Sequence, residues 1–70
     1  MIEIEKSPGD YILYKDTHGQ LLLVVFDASG IFETEHKLNS GETYSYESHG
    51  SQILPLIARR VRDQKEIEKQ

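Results

Sequence analysis

The chain is predicted to be α+β, a four- or five-stranded antiparallel β-meander with one C-terminal α-helix packed on one face. Three observations carry this. Leu21-Leu22-Leu23-Val24-Val25-Phe26 is the only long unbroken apolar run, and its residues favour strands. Gly19, Gly30 and Gly41 recur every eleven residues, each closing a polar tetrapeptide, which is the rhythm of hairpins in a meander. After Gly50 the apolar period changes from two to that of a helix.

In chain order, Ile2 and Ile4 alternate with Glu3 and Glu5, a short strand signal. Ser7-Pro8-Gly9-Asp10 reads as a type II turn, with Pro setting one φ and Gly taking the positive one. That geometry splays hairpin arms, so the first pairing is expected to be loose. Strands are expected at about Asp10 to Lys15, Gln20 to Phe26, Ile31 to Leu38 and Glu42 to Glu47. They are joined by Asp16-Thr17-His18-Gly19, Asp27-Ala28-Ser29-Gly30 and Leu38-Asn39-Ser40-Gly41. Each loop fits a type I turn followed by a left-handed Gly.

That shared loop geometry sets a register in which Asp16 faces Gln20, Asp27 faces Ile31 and Leu38 faces Glu42. Side chains alternate across a strand, so the register sorts residues by face. One face then holds Ile12, Tyr14, Leu22, Val24, Phe26, Phe32, Thr34, His36, Leu38, Tyr44 and Tyr46. The other holds Tyr11, Leu13, Leu21, Leu23 and Val25 beside the charged Lys15, Glu33, Glu35, Lys37 and Glu47. The helix is expected on the first, more apolar face. If it took the other, the exposed surface would be the aromatic one around Tyr14, Phe32, His36 and Tyr46, and a ligand groove would gain ground.

Ile53, Leu54, Ile57, Ala58 and Val61 form the apolar stripe of an amphipathic helix. It begins near Gln52 with Ser51 as N-cap, or nearer Pro55 with Gly50 to Leu54 as a turn, since Pro suits only the first helical turn. The tail from Glu66 to Gln70 is expected to fray.

With 70 residues the chain is one domain, residues 1–70, with room for one core. It has no cysteine, which excludes disulfides and thiolate metal sites. The net charge of −4 argues against a nonspecific nucleic-acid binder. No run is long enough to span a membrane, and Met1 to Lys6 lacks the pattern of a signal peptide, so a soluble cytoplasmic protein is expected.

The candidate sites are sparse. His18, His36 and His49 lack the close spacing of zinc ligands, so no metal is expected, and no cofactor motif is present. No nucleophile elbow accompanies the Ser, His and Asp residues, and Glu33, Glu35 and Glu47 read as solvated charge pairs. No catalytic residue is therefore assigned. Arg59, Arg60 and Arg62 form a basic cluster, extended by Lys65 and Lys69, that offers a nucleic-acid surface. Asp63 and Glu66 stand four residues after Arg59 and Arg62, the spacing of pairs within a helix. The spacing Gly41-x-x-Tyr44-x-Tyr46 followed by a helix resembles the ending of the KTSC family of small domains over less than half the chain, and implies no function.

A helix covers one sheet face only. Tyr11, Leu13, Leu21, Leu23 and Val25 are therefore expected to remain open as a protein-interaction patch. The resulting expectation is a noncatalytic module that homodimerises or binds another protein through an apolar sheet face. A nucleic-acid-associated regulator using Arg59, Arg60 and Arg62 is the alternative.

Overall fold

A computed structural model describes residues 1–27 and 32–68, with the side chains of 65–68 excluded. Strands β1 (Ile2–Ser7), β2 (Tyr11–Lys15), β3 (Leu21–Phe26) and β4 (Glu33–Lys37) form one antiparallel sheet in the order β1-β2-β3-β4. Helix α1 (Ser40–His49), a 3-10 turn (Gly50–Ile53) and helix α2 (Leu54–Glu68) follow. The expected meander with a C-terminal helix on one face is thus present.

The first two turns adopt the expected geometry. Gly9 has φ 76°, and the Asp10 N–H donates to the Ser7 carbonyl at 2.9 Å. The loose pairing expected beyond this turn is a slip in the β1–β2 register between Glu3 and Glu5, which makes Ile4 a bulge. Gly19 has φ 83°, and Asp16 and Gln20 close the β2–β3 hairpin at 3.0 Å. Asp16 Oδ1 accepts from the N–H groups of Gln20 and His18, at 2.9 and 2.8 Å. Those bonds, Gln20's first, hold its carboxyl below the usual range.

Two expectations fail beyond β3. Phe26 pairs with Glu33, and the Asp27 N–H donates to the Phe32 carbonyl at 3.0 Å. The facing residue is therefore Phe32, one position later than expected, and Leu22 meets Lys37 instead of His36. Residues 28–31 of the expected tight loop lie outside the described residues. Because the side-chain period is two, this one-residue slip carries every β4 side chain to the opposite face.

The expected strand Glu42 to Glu47 is helical. Asn39 caps α1, accepting from the Glu42 N–H at 2.8 Å while Glu42 Oε1 accepts from the Asn39 N–H at 3.0 Å. This reciprocal box satisfies two backbone donors that a hairpin turn would have used otherwise. It overrides the alternating Thr43-Tyr44-Ser45-Tyr46, so the tyrosines behind the KTSC resemblance stand on a helix. Gly50 ends α1 at φ 74°, its N–H donating to the Tyr46 carbonyl. Pro55 is the second residue of α2, where its missing N–H leaves no intrahelical bond unmade, in line with the later of the two expected starts. α2 continues through Glu68, and Lys69 and Gln70 of the expected frayed tail lie outside the described residues.

The core lies between the sheet and α2. Leu54, Ile57, Ala58 and Val61 of α2 bury against Tyr11, Leu13, Leu21, Leu23 and Val25, with Leu38 closing one end. Leu13, Leu23, Leu54 and Ala58 are fully buried. Each large aliphatic side chain so buried contributes about 1.5 to 3 kcal/mol before entropy is counted. The helix covers the face expected to be open, for a reason the slip supplies. It turns Thr34 and His36 toward that face and moves Glu33, Glu35 and Lys37 to the other. Leu38, buried at 3% exposure, enters the same core immediately before the Asn39 cap and delivers the helix to that side.

Candidate interaction surface

The five residues expected to form an exposed patch, Tyr11, Leu13, Leu21, Leu23 and Val25, are the floor of the core. No partner can reach them while the chain is folded. The open face of the sheet is the reverse one, carrying Ile12, Tyr14, Leu22, Val24 and Phe26.

This face is organised in rows across the strands. One row runs Lys6, Ile12, Val24, Glu35, and the next runs Glu3, Tyr14, Leu22, Lys37. Leu22 and Val24 sit in the middle, at 7% and 8% exposure, flanked by both neighbouring strands. Ile12, Tyr14 and Phe26 are half-buried, while Glu3, Lys6, Glu35 and Lys37 are exposed. Phe26 stands one row further on, with Glu33 beside it. A cleft of about 330 Å³ opens next to it, lined by Lys6, Pro8, Gly9, Ile12 and Phe26. The bulge at Ile4 places Glu3 and Lys6, three residues apart, on the same face. None of the four corner charges makes an ion pair among the described residues.

The polar contacts of the other face join elements to one another. His36 Nε2 lies 2.9 and 3.2 Å from the two carboxylate oxygens of Glu42, tying β4 to the first turn of α1. Arg60 Nη1 approaches the same carboxylate at 3.9 Å. Burial pushes the Glu42 carboxyl up, but the Asn39 N–H, His36 and Arg60 outweigh it and hold the group below the usual range. The Tyr46 hydroxyl donates to Glu5 Oε2, joining α1 to β1. Burial first, and then the Glu5 carboxylate, push the Tyr46 phenol up to about 12.

Arg62 is a structural anchor. Its Nε donates to the Phe26 carbonyl at 2.7 Å, and its Nη2 donates to the Asp10 carbonyl at 3.0 Å and to the Asp10 carboxylate. The expected basic cluster is therefore split. Arg59 and Arg60 face solvent, whereas Arg62 bridges α2 to the ends of β2 and β3. The larger cleft, about 440 Å³, lies between α1 and α2 over Ile53, Leu56 and Ile57. Its carboxylate, Glu42, is already engaged by His36 and Asn39.

Among the described residues no three His, Asp or Glu side chains converge as metal ligands, and no helix is long and apolar enough to cross a membrane. No known relative emerges. No family model matches the chain, and neither does any curated protein or solved structure.

One signal in the sequence points to this arrangement: Asn39-x-x-Glu42 is a capping-box pattern that marks the start of a helix. It takes Tyr44 and Tyr46 off the sheet, and with them most of the apolar character expected to draw the helix to their face.

Proposed function

We propose that this chain is a noncatalytic protein-interaction module whose binding surface is the open sheet face. The observation that carries the reading is the apolar stripe of Ile12, Tyr14, Leu22, Val24 and Phe26, which no helix among the described residues covers. A small domain that leaves Ile12, Tyr14 and Phe26 half-buried around the buried Leu22 and Val24 gains apolar burial by receiving a partner there. The titratable groups that approach one another, His36 with Glu42, Asp10 with Arg62 and Glu5 with Tyr46, serve to join elements, which supports a role in binding over chemistry.

Photo-cross-linking tests this in cells that make the protein. A benzophenone side chain at position 14, on the open face, is expected to form protein adducts. The same group at position 44, exposed on α1, is not. Absence of adducts at position 14, with the protein folded, overturns the reading.

A further inference from the structure

We infer that the partner on the open face is a second copy of this chain, packed sheet to sheet about a twofold axis that lies parallel to the strands between β2 and β3. This rests on the open face being the binding surface.

The charges at its corners carry the inference. Lys6 and Glu35 end one row, and Glu3 and Lys37 end the next, so the sign alternates around the four corners. Strands lie about 4.8 Å apart, which separates the two ends of a row by about 14 Å, too far to pair within one molecule. A half-turn about the stated axis lays β1 over β4 of the second copy and β2 over its β3. Each row then meets itself reversed. Lys6 falls on Glu35 of the second copy and Glu3 on its Lys37, while Ile12 meets Val24 and Tyr14 meets Leu22. Every corner charge finds its opposite, twice over by symmetry, as an isologous interface requires. Glu33 of the second copy falls beside the same Lys6.

The apolar relief selects this axis. A twofold perpendicular to the strands also matches the corner charges, setting Lys6 on Glu3 and Glu35 on Lys37, but it carries Phe26 past the end of the sheet. The parallel axis carries Phe26 over the Pro8-Gly9 end of the second copy, at its cleft of about 330 Å³. A single aromatic seated in a pocket is the usual anchor of an interface. Four strands of five to six residues make a face roughly 19 by 18 Å. Buried on both copies, that is roughly 700 Å², below the ~1,200 Å² at which stable specific interfaces begin. The dimer is thus expected to be weak and to dissociate in the high micromolar range.

Sedimentation equilibrium of the purified chain across that range tests the inference, with circular dichroism confirming that each variant is folded. The wild-type chain is expected to sediment as a dimer. Lys6→Glu, an exposed change, should weaken the dimer at least tenfold by setting like charges face to face. Adding Glu35→Lys should restore it, and adding Glu3→Lys instead should not. Restoration by Glu3→Lys overturns the stated axis. A folded chain that stays monomeric throughout overturns the second copy as partner. In that case adducts to another protein at position 14 leave the surface reading standing, and their absence removes both.

Discussion

Arg62 shows how far one residue's role depends on where its neighbours end. In a cluster of three arginines it looks interchangeable with the others, yet it alone reaches the backbone carbonyls of Phe26 and Asp10. Those bonds remain when the partly exposed ion pair with Asp10 is discounted for screening. Arg62→Ala is expected to destabilise the chain by about 2 kcal/mol in urea unfolding, since hydrogen bonds from a charged donor are worth more than neutral ones. Arg59→Ala should fall within about 0.5 kcal/mol of wild type, as exposed substitutions do.

Glu42 is the second residue whose role the fold assigns. Its depressed folded-state pKa means that the unfolded chain binds the proton more readily. The stability it contributes is therefore present above the unfolded value, about 4.3, and is lost as pH falls through the lower folded value. Glu42→Gln is expected to cost about 1 kcal/mol at neutral pH. The difference from wild type should shrink toward zero in acid, which thermal melts across the acid range would read.

At the scale of elements, α1 has no fully buried residue among its ten. It owes its existence to its ends and to the half-buried Tyr46. Asn39→Ala, which removes the cap, is expected to cost about 1 kcal/mol and to raise amide exchange through the first turn of α1. Gly50→Ala should cost more, about 1 to 3 kcal/mol, for a different reason: φ 74° with ψ −154° is a conformation essentially confined to glycine. An added Cβ there meets no atom within 4 Å, so the penalty comes from φ 74° and not from crowding. Equal loss from Asn39→Gly and Asn39→Ala would argue against capping, because Gly at an N-cap costs only a few tenths of a kcal/mol.

The same element explains which parts of the fold were legible. The Asp16 loop was readable because Asp, Gly and the alternation of both flanking strands agree on one local geometry. The amphipathic stripe Leu54, Ile57, Ala58 and Val61 was readable for the same reason. At Leu38 to Tyr46 local signals conflict. A Gly in a polar tetrapeptide and alternating tyrosines suggest a hairpin, while Asn39 and Glu42 suggest a helix start. The conflict is resolved in part by contacts distant in sequence, His36 to Glu42 and Tyr46 to Glu5.

At the scale of the whole molecule, the two faces of the sheet exchange roles relative to expectation, and a single substitution distinguishes the two arrangements. Leu23 is fully buried beneath α2. Leu23→Glu is therefore expected to unfold the chain, because a carboxylate there would be buried without a partner. Were Leu23 on an open surface, the same variant would keep native circular dichroism and change only association.

Period-two alternation along Tyr11 to Lys15 and Leu21 to Phe26, with the Asp16 loop between, was enough to determine the two sets of side chains and their pairing from sequence alone. It could not say which set becomes the core, since alternation is symmetric between faces. The tertiary structure decided that. The one-residue slip past Asp27 placed Glu33, Glu35 and Lys37 on one side and delivered Leu38 and the helix to the other. Burying carboxylates and ammonium groups under a helix costs far more than leaving a few apolar side chains half-exposed. The charges of β4 therefore kept that side of the sheet open, and with it Ile12, Tyr14, Leu22, Val24 and Phe26.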